Sequence, residues 1–324
     1  MTDRYARQMI LPEVGAAGQA RLAAAAVTVI GAGGLGSAVL EYLVAAGVGR
    51  VTIVDHDRVE ESNLHRQPLY GEADVGAGKA PAAAARLRAL NAQVQIEARA
   101  ERLTPANAAS LAAGADVVVD AADSFAVTYA LSDACQRAAV PLVSASVLGL
   151  SGYVGAFCGG GPSYRAVFPE LPGSAGSCAE SGVLGTAVGV LGTLEAHLTL
   201  ALLLKWEPSV LGQLVSLDLR TLRISGFSFA AAPEARGDPL AFIAPEELRG
   251  DDVVIDLRST VEAPESPFPG ALRVGVEALE RAEVPLPPEP RIVLCCRSGV
   301  RAWRAARALQ SQGHTNVALI ALGG

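Results

Sequence analysis

The run Val27-Thr28-Val29-Ile30-Gly31-Ala32-Gly33-Gly34-Leu35-Gly36 constrains the fold of this chain more than any other segment. Its first four residues, apolar or β-branched, specify a buried strand, and Gly31, Gly33 and Gly36 then fall at G-x-G-x-x-G spacing. Small and apolar residues from Leu35 to Ala46 open a helix. A strand, a glycine turn and a helix in that order make a phosphate-binding turn. The glycines let the backbone approach a phosphate, and the helix N-terminus supplies N–H donors and partial positive charge. Alone, the turn says only that a nucleotide binds, with NAD as the default. The residues after it shift that expectation. Asp55 ends the next strand, followed by Asp57-Arg58-Val59-Glu60-Glu61-Ser62-Asn63-Leu64-His65-Arg66-Gln67 and then Lys79. A dinucleotide is held mainly by backbone and one ribose carboxylate. Arg66 and Lys79, two cations just beyond that carboxylate, suit a triphosphate better.

Strand and helix signals alternate from residue 27 to 147, with short apolar runs at 51–55, 94–98, 116–120 and 141–145. That order predicts an α/β fold, a Rossmann-like and mainly parallel sheet with helices on both faces. Residues 151–158 read as a further strand, 159–161 as a turn and 162–176 as a Pro/Gly/Ser-rich loop. Residues 182–204 are almost wholly apolar and long enough to span a bilayer. Glu195 and His197 interrupt them, so a buried core or dimer helix is expected there, with Gly182, Gly185, Gly189 and Gly192 allowing close packing. Residues 214–229 read as a hairpin turning at Ser225-Gly226. The expected domains are 1–229 and 239–324, joined by a linker at 230–238. The second is a small α/β unit, with strands at 252–257, 271–274, 291–295 and 316–322 and a helix at 301–312.

A chain of 324 residues has room for about two domains. The formal net charge of -7 argues against a nucleic-acid surface, which needs clustered Lys and Arg. The five cysteines are Cys135, Cys158, Cys178, Cys295 and Cys296, an odd and irregularly spaced set that suits a reducing compartment. Asp3, Arg4 and Arg7 leave no apolar leader, so a cytoplasmic protein is expected.

Three centres carry chemistry. The first comprises Arg7, Asp55, Asn63, Arg66, Lys79 and Asp123. Asp55 can take ribose hydroxyls, Arg66 and Lys79 can bind phosphates, and Asp123 lies at the carboxyl edge of the sheet, where it could hold Mg²⁺. Singly each is an ordinary surface ion-pair partner; the order and spacing of the set point to a site. The second centre is Cys178, on a loop ahead of the apolar helix. It can be a nucleophile with a lowered pKa or a small buried apolar residue, and its position leaves both open. The third is Cys296-Arg297-Ser298-Gly299-Val300-Arg301, between a strand and a helix. Loop N–H groups there form an anion nest that would hold a thiolate or a persulfide. Four residues separate Cys296 from Arg301, where phosphatase loops have five. Cys135, Cys158 and Cys295 read as packing.

The pieces Arg4-Tyr5-Ala6-Arg7-Gln8, Gly31–Gly36, Asp55-His56-Asp57, Ser62-Asn63-Leu64-His65-Arg66-Gln67, Asp74-Val75-Gly76 with Lys79, and Asp120-Ala121-Ala122-Asp123 resemble the ubiquitin-activating-like adenylyltransferases of the molybdopterin, thiamine and tRNA-thiolation pathways. The resemblance covers about residues 1–226. It implies that a carrier protein's C-terminal Gly-Gly carboxylate attacks the ATP α-phosphate. Gly31, Gly33, Gly34, Gly36, Asp55, Asp57, Ser62, Asn63, Arg66, Gln67, Lys79, Asp123 and Ser124 would bind ATP, with Mg²⁺ at Asp123. Arg7 would reach the triphosphate of the neighbouring subunit in a homodimer, and Cys178 would be the crossover-loop cysteine. Two departures stand out. The family usually has Asp-Asn where this chain has Asp123-Ser124. Many relatives also hold a structural zinc on two C-x-x-C pairs, whose first pair falls here on Ser163 and Ala166, and residues 225–237 contain no cysteine, so no structural zinc is expected.

Residues 240–324 resemble rhodanese, through the Cys296–Arg301 loop, Asp256-Leu257-Arg258 and Phe268-Pro269-Gly270-Ala271. The ending Gly323-Gly324 could mimic a carrier tail but fits better the Gly-Gly turn after the last rhodanese strand. Together the resemblances imply a catalytic set of Arg7, Asp123, Cys178 and Cys296, with a ubiquitin-like sulfur carrier and a persulfide or thiosulfate donor as partners. The implied product is a thiocarboxylate, and neither nucleic acid nor membrane takes part. An NAD-dependent oxidoreductase would explain the glycine turn and Asp55 but not Arg66, Lys79, Asp123 or Cys296. A non-catalytic docking scaffold would explain the missing zinc cysteines.

Overall fold

The computed structural model describes residues 3–171, 182–235 and 239–323. Two short helices, α1 (Ala6–Met9) and α2 (Gly15–Ala24), precede β1 (Ala26–Ile30), the glycine turn and α3 (Gly34–Ala46). There follow β2 (Arg50–Val54), α4 (Lys79–Leu90), β3 (Gln95–Arg99), α5 (Pro105–Ala112), β4 (Val117–Asp120), α6 (Phe125–Ala138) and β5 (Pro141–Leu148). Strand β6 (Ser151–Cys158), α7 (Tyr164–Val167), α8 (Gly185–Leu204), β7 (Gln213–Asp218) and β8 (Arg223–Ser228) complete the first sheet and its cover. The sheet order is β3-β2-β1-β4-β5-β6-β7-β8, parallel from β3 to β5 and antiparallel beyond.

The period-two alternation of strand side chains fills two cores. Val27, Val29, Val117 and Val119 point into one, with Leu35, Val39, Leu43, Leu87, Val188 and Leu191 from α3, α4 and α8. Ile30 and Val118 point into the other, with Leu111, Tyr129 and Leu131 from α5 and α6. Helix α8 is long and apolar enough to cross a membrane by length and composition, yet 61% of its apolar window is buried inside the protein. Its glycines divide by role. A Cβ on Gly192 would lie 2.6 Å from the Leu35 carbonyl oxygen, and one on Gly185 would overlap that of His65, whereas Gly189 meets nothing. Close packing therefore rests on Gly185 and Gly192.

The hairpin does not turn at Ser225-Gly226, which lie inside β8. The Asp218 carboxylate accepts hydrogen bonds from the Arg220 N–H at 3.0 Å and the Thr221 hydroxyl at 2.8 Å, and so places the turn between Asp218 and Arg223.

A second, all-parallel sheet has the order β11-β10-β12-β13-β9, from β9 (Ala241–Phe242), β10 (Val253–Asp256), β11 (Leu272–Arg273), β12 (Ile292–Cys296) and β13 (Val317–Ala321). Helices α9 (Val276–Glu280) and α10 (Val300–Ser311) cover it. The α5/α6 core of the first sheet runs on without a break into this unit through Leu240, Phe242, Leu279 and Trp303.

Candidate active site

Three glycines of the turn are required by the fold, each against a different neighbour. Gly31 has φ +96, and a Cβ there would lie 2.7 Å from the Ala121 carbonyl oxygen. A Cβ on Gly36 would overlap the Gly31 carbonyl, and one on Gly34 would stand 2.5 Å from Val188 Cγ1. Gly33 alone faces open space, its nearest neighbour being Gln67 Nε2 at 3.7 Å. Asp55 Oδ2 accepts the Ala32 N–H at 2.7 Å and Oδ1 the Asp57 N–H at 2.8 Å. Asp55 thus braces the turn itself, and only its remaining lone pairs are free for a ribose. The buried Tyr70 hydroxyl lies 2.8 Å from the Ala32 carbonyl and 3.2 Å from that of Lys79, pinning the turn to the start of α4. No sequence pattern marked Tyr70 out.

Lys79 is buried and donates to Asp57 Oδ2 at 3.0 Å. Burial pushes the Asp57 carboxyl up, but the Lys79 hydrogen bond and charge, with His56 and Arg102 behind them, outweigh it and leave the pKa lowered. The half-buried Arg66 donates to the Ser62 carbonyl at 3.0 Å and lies 2.9 Å from His65 Nε2. Asn63 is buried and its Oδ1 accepts the Glu60 N–H. Gln67 is 3% exposed, and its Oε1 has no hydrogen-bond partner among the described residues. An orphaned acceptor beside the open space over Gly33 fits a bound nucleotide supplying the missing donor. Asp55, His56 and Asp57 bring ligand atoms within 4.8 Å of one another.

Asp123 is exposed, and Ser124 caps α6 in position without a side-chain cap bond. Among the described residues Asp123 makes no hydrogen bond or ion pair, which leaves a hard oxygen donor free for Mg²⁺. Asp120 orders the segment that leads to it. Asp120 is fully buried and accepts from Thr128 Oγ1 at 2.6 Å, Ser144 Oγ at 2.9 Å and the Ala122 N–H at 3.3 Å. Burial pushes its carboxyl up to about 6. Glu195 of α8 is also fully buried. Among the described residues neither of its carboxyl oxygens has a partner of good geometry, although the Ala145 backbone is close enough to act against the rise in its pKa. Burial and the Asp120 charge raise its pKa well above the ordinary value, which favours the protonated form of Glu195.

Arg7 is exposed on α1 and pairs with no other residue of the set among those described. Its arm is docked, through Asn91 Nδ2 to the Tyr5 hydroxyl at 2.8 Å and the Arg4 guanidinium to the Leu90 carbonyl at 3.1 Å. At the place of the first zinc cysteine, Ser163 is tied to Glu234, with its N–H on Oε1 at 2.7 Å and its hydroxyl on Oε2 at 2.6 Å. The two segments that a zinc would join are thus joined by a carboxylate. Cys178 lies outside the described residues.

In the second unit, Cys296 ends β12, fully buried, and Gly299 at φ +87 donates its N–H to Sγ at 3.2 Å. Arg297 and Ser298 are exposed, while Val300 and Arg301 start α10. Arg301 forms a bidentate pair with Glu262 at 2.7 and 2.5 Å and donates to the Leu257 carbonyl at 3.2 Å. The Asp256 carboxyl, driven up by burial, is pulled below its ordinary value by Arg258. Cys135, Cys158 and Cys295 are buried, and burial pushes the Cys158 and Cys295 thiols up to about 12, as packing residues should be.

Fold and site together define a nucleotide-binding α/β domain joined to an α/β domain with a thiol-bearing anion loop. The ThiF family model matches residues 5–237 and the Rhodanese-like domain model residues 244–324, and the chain belongs to the ThiF family with a rhodanese-like domain attached. It is 40% identical over 323 residues to the adenylyltransferase and sulfurtransferase MOCS3 of Bos taurus, covering 86% of this chain and 70% of that one. It is 49% identical over 224 residues to the sulfur carrier protein adenylyltransferase of Thermus thermophilus, covering 67% and 83%. Of the porcine MOCS3 it spans 48% of the length. Among solved structures, E. coli MccB with ATP superimposes with a TM-score of 0.62 at 22% identity, over 71% of this chain and 72% of that one, a likeness of fold.

Proposed function

We propose that this chain activates the C-terminal Gly-Gly carboxylate of a ubiquitin-like sulfur carrier with ATP and then converts it to a thiocarboxylate. It is an adenylyltransferase carrying a sulfurtransferase domain. The observation that carries this reading is the pairing, in one chain, of an open Gly33 turn next to Gln67, in a domain that also holds the Lys79–Asp57 pair, with a Cys296 anion loop.

In the first step a carrier carboxylate oxygen bonds to the α-phosphorus, the α–β phosphoanhydride breaks, and pyrophosphate leaves. Backbone N–H groups of the turn, Lys79 and Arg66 meet the phosphate charge. Mg²⁺, held by Asp123, would neutralise the triphosphate. In the second domain the Cys296 thiolate takes the outer sulfur of thiosulfate, releasing sulfite, or of another persulfide, releasing its thiol. The Cys296 persulfide attacks the acyl-adenylate carbonyl; a C–S bond forms, the C–O bond breaks and AMP leaves. A thiol then reduces the acyl disulfide, freeing the thiocarboxylate and leaving Cys296 in a mixed disulfide. Cys178 is the protein thiol suited to that role.

The reading extends to a cytoplasmic homodimer in which Arg7 serves the partner's triphosphate, with domains at 1–229 and 239–324. The test is carrier-dependent ATP–pyrophosphate exchange with a Gly-Gly-ending carrier, followed by intact mass of the carrier after adding thiosulfate. Asp123→Ala should lower exchange by about a hundredfold or more, the scale of losing a charge clamp on phosphoryl transfer. Near-wild-type exchange would remove Asp123 from the site.

A further inference from the structure

The two domains are held together on both flanks of the Cys296 loop. On one flank lies α10, which begins at the loop. Its Trp303 Nε1 donates to Glu170 Oε2 at 3.0 Å, and Arg307, one turn on, pairs with the same carboxylate at 2.7 Å. On the other flank lies the end of β13. The Leu322 N–H donates to the Cys296 carbonyl at 3.0 Å and the Gly323 N–H to that of Arg297 at 2.9 Å. The Leu322 carbonyl in turn accepts from Arg102 Nη1 at 3.2 Å. Arg102 belongs to the first domain, on the segment after β3, and its charge reaches Asp57, the partner of Lys79. Gly323 suits this contact because a Cβ there would overlap the Arg102 guanidinium.

Between the flanks the contact is largely aromatic and buried. Tyr129 of α6 packs on Trp303 at 5.1 Å between ring centroids, and Arg165 lies 4.7 Å from the Tyr129 ring while donating to the Leu240 carbonyl at 3.1 Å. Trp303 and Leu240 are almost wholly buried. A shared core of this kind resists sliding, because displacing either domain exposes large aromatic surface. Arg102 therefore joins the carboxyl edges of the two sheets, where the two sites lie. Cys296 Sγ is buried, with only Arg297 and Ser298 of the loop exposed, which suits a sulfur handed to a docked acceptor rather than to bulk solvent.

We propose that Arg102 and Glu170 are positioning residues that hold the Cys296 loop toward the nucleotide site of its own chain, so that sulfur passes to the adenylate formed in that chain. This rests on the function proposed above and adds the route of transfer.

Three reactions are measured on the full chain: ATP–pyrophosphate exchange, thiosulfate:cyanide sulfurtransfer and overall thiocarboxylate formation, the last with dithiothreitol as the releasing thiol. Arg102→Glu and Glu170→Arg should each lower the overall kcat by about tenfold or more, the factor for about 1.4 kcal/mol of lost docking. Glu170→Arg should leave both partial reactions within about twofold of wild type; in Arg102→Glu, whose charge also reaches Asp57, the overall rate should fall about tenfold further than exchange does. Arg102→Lys, which keeps a donor for the Leu322 carbonyl, should restore most of the overall rate. Wild-type overall rates in both charge reversals, or loss of a partial reaction in step with the overall one, overturn the positioning role. Co-expressed Asp123→Ala and Cys296→Ala chains should show no more thiocarboxylate than either alone, and recovery overturns same-chain transfer. If either chain alone supports the overall reaction at the wild-type rate, the functional reading fails and not the docking.

Discussion

Substituting the four turn glycines one at a time separates the residues that the fold needs from the one that the ligand needs. At Gly36 a Cβ overlaps the Gly31 carbonyl, and at Gly31 it meets the Ala121 carbonyl oxygen at 2.7 Å with φ at +96. Both obstacles are backbone and cannot swing aside, so relief requires moving β1 or the β4 end. Overpacking of that kind costs about 1–3 kcal/mol, which at about 2–4 °C per kcal/mol lowers Tm by roughly 2–12 °C. Gly34→Ala meets a Val188 methyl at 2.5 Å, which can give way, and the Arg66 carbonyl oxygen only at 3.3 Å, and should fall at the lower end of that range. Gly33→Ala is different. Its Cβ finds Gln67 Nε2 at 3.7 Å, an ordinary contact, and the stability change should stay within about 1 kcal/mol. The same Cβ fills the space in which a phosphate would lie against the backbone. Losing one charge-assisted N–H contact at about 1.5–3 kcal/mol should raise the KM for ATP by roughly tenfold to a hundredfold. The assays are thermal melts and ATP-dependent pyrophosphate exchange on all four variants. An unchanged ATP KM in Gly33→Ala, or an unchanged Tm in Gly36→Ala, would refute the division.

Other outcomes follow from the remaining centres. Cys296→Ala should abolish thiosulfate:cyanide sulfurtransfer, whereas Cys295→Ala, in strand packing, should keep it; the reverse result would move the sulfur centre. Purified protein should hold well under one zinc per chain, and a chelator should leave Tm unchanged. Glu234→Ala, by contrast, should lower Tm through about 1–3 kcal/mol of lost hydrogen bonding to the buried Ser163. The Asp120 carboxyl, raised from 3.8 to about 6, and that of Glu195, also raised, keep their protons longer in the folded chain than in the unfolded one. Each therefore costs stability progressively as pH rises from its unfolded value toward its folded one. Glu195→Gln should gain Tm relative to wild type at about pH 8 compared with about pH 4.5, and a pH-independent difference would show that Glu195 ionises normally.

The sequence by itself determined the fold class and singled out most of the residues proposed for the first site. The glycine spacing, the strand before it and the carboxylate after it are local patterns, and a local pattern survives whatever the rest of the chain does. Cys296 was legible in the same way, because an anion nest is built from consecutive residues between a strand and a helix. What the sequence left undecided needed distant partners. Glu234 lies 71 residues from Ser163, and nothing in either segment announces that a carboxylate joins them. Tyr70 and Asp120 brace the turn and the Asp123 segment only because the sheet brings them together. Asp55 reads as a ribose ligand in the chain and proves to be also a bolt on the turn, since its two oxygens meet N–H groups that only the folded β1–β2 edge presents. Glu195, which interrupts the apolar run, could mark a polar face or a buried acid. Tertiary packing decided for a buried carboxyl, by placing it beside Asp120 with no cation paired to it among the described residues. The docking of the second domain was decided in the same way, because Arg102 and Leu322 stand 220 residues apart and meet only where the carboxyl edges of the two sheets approach.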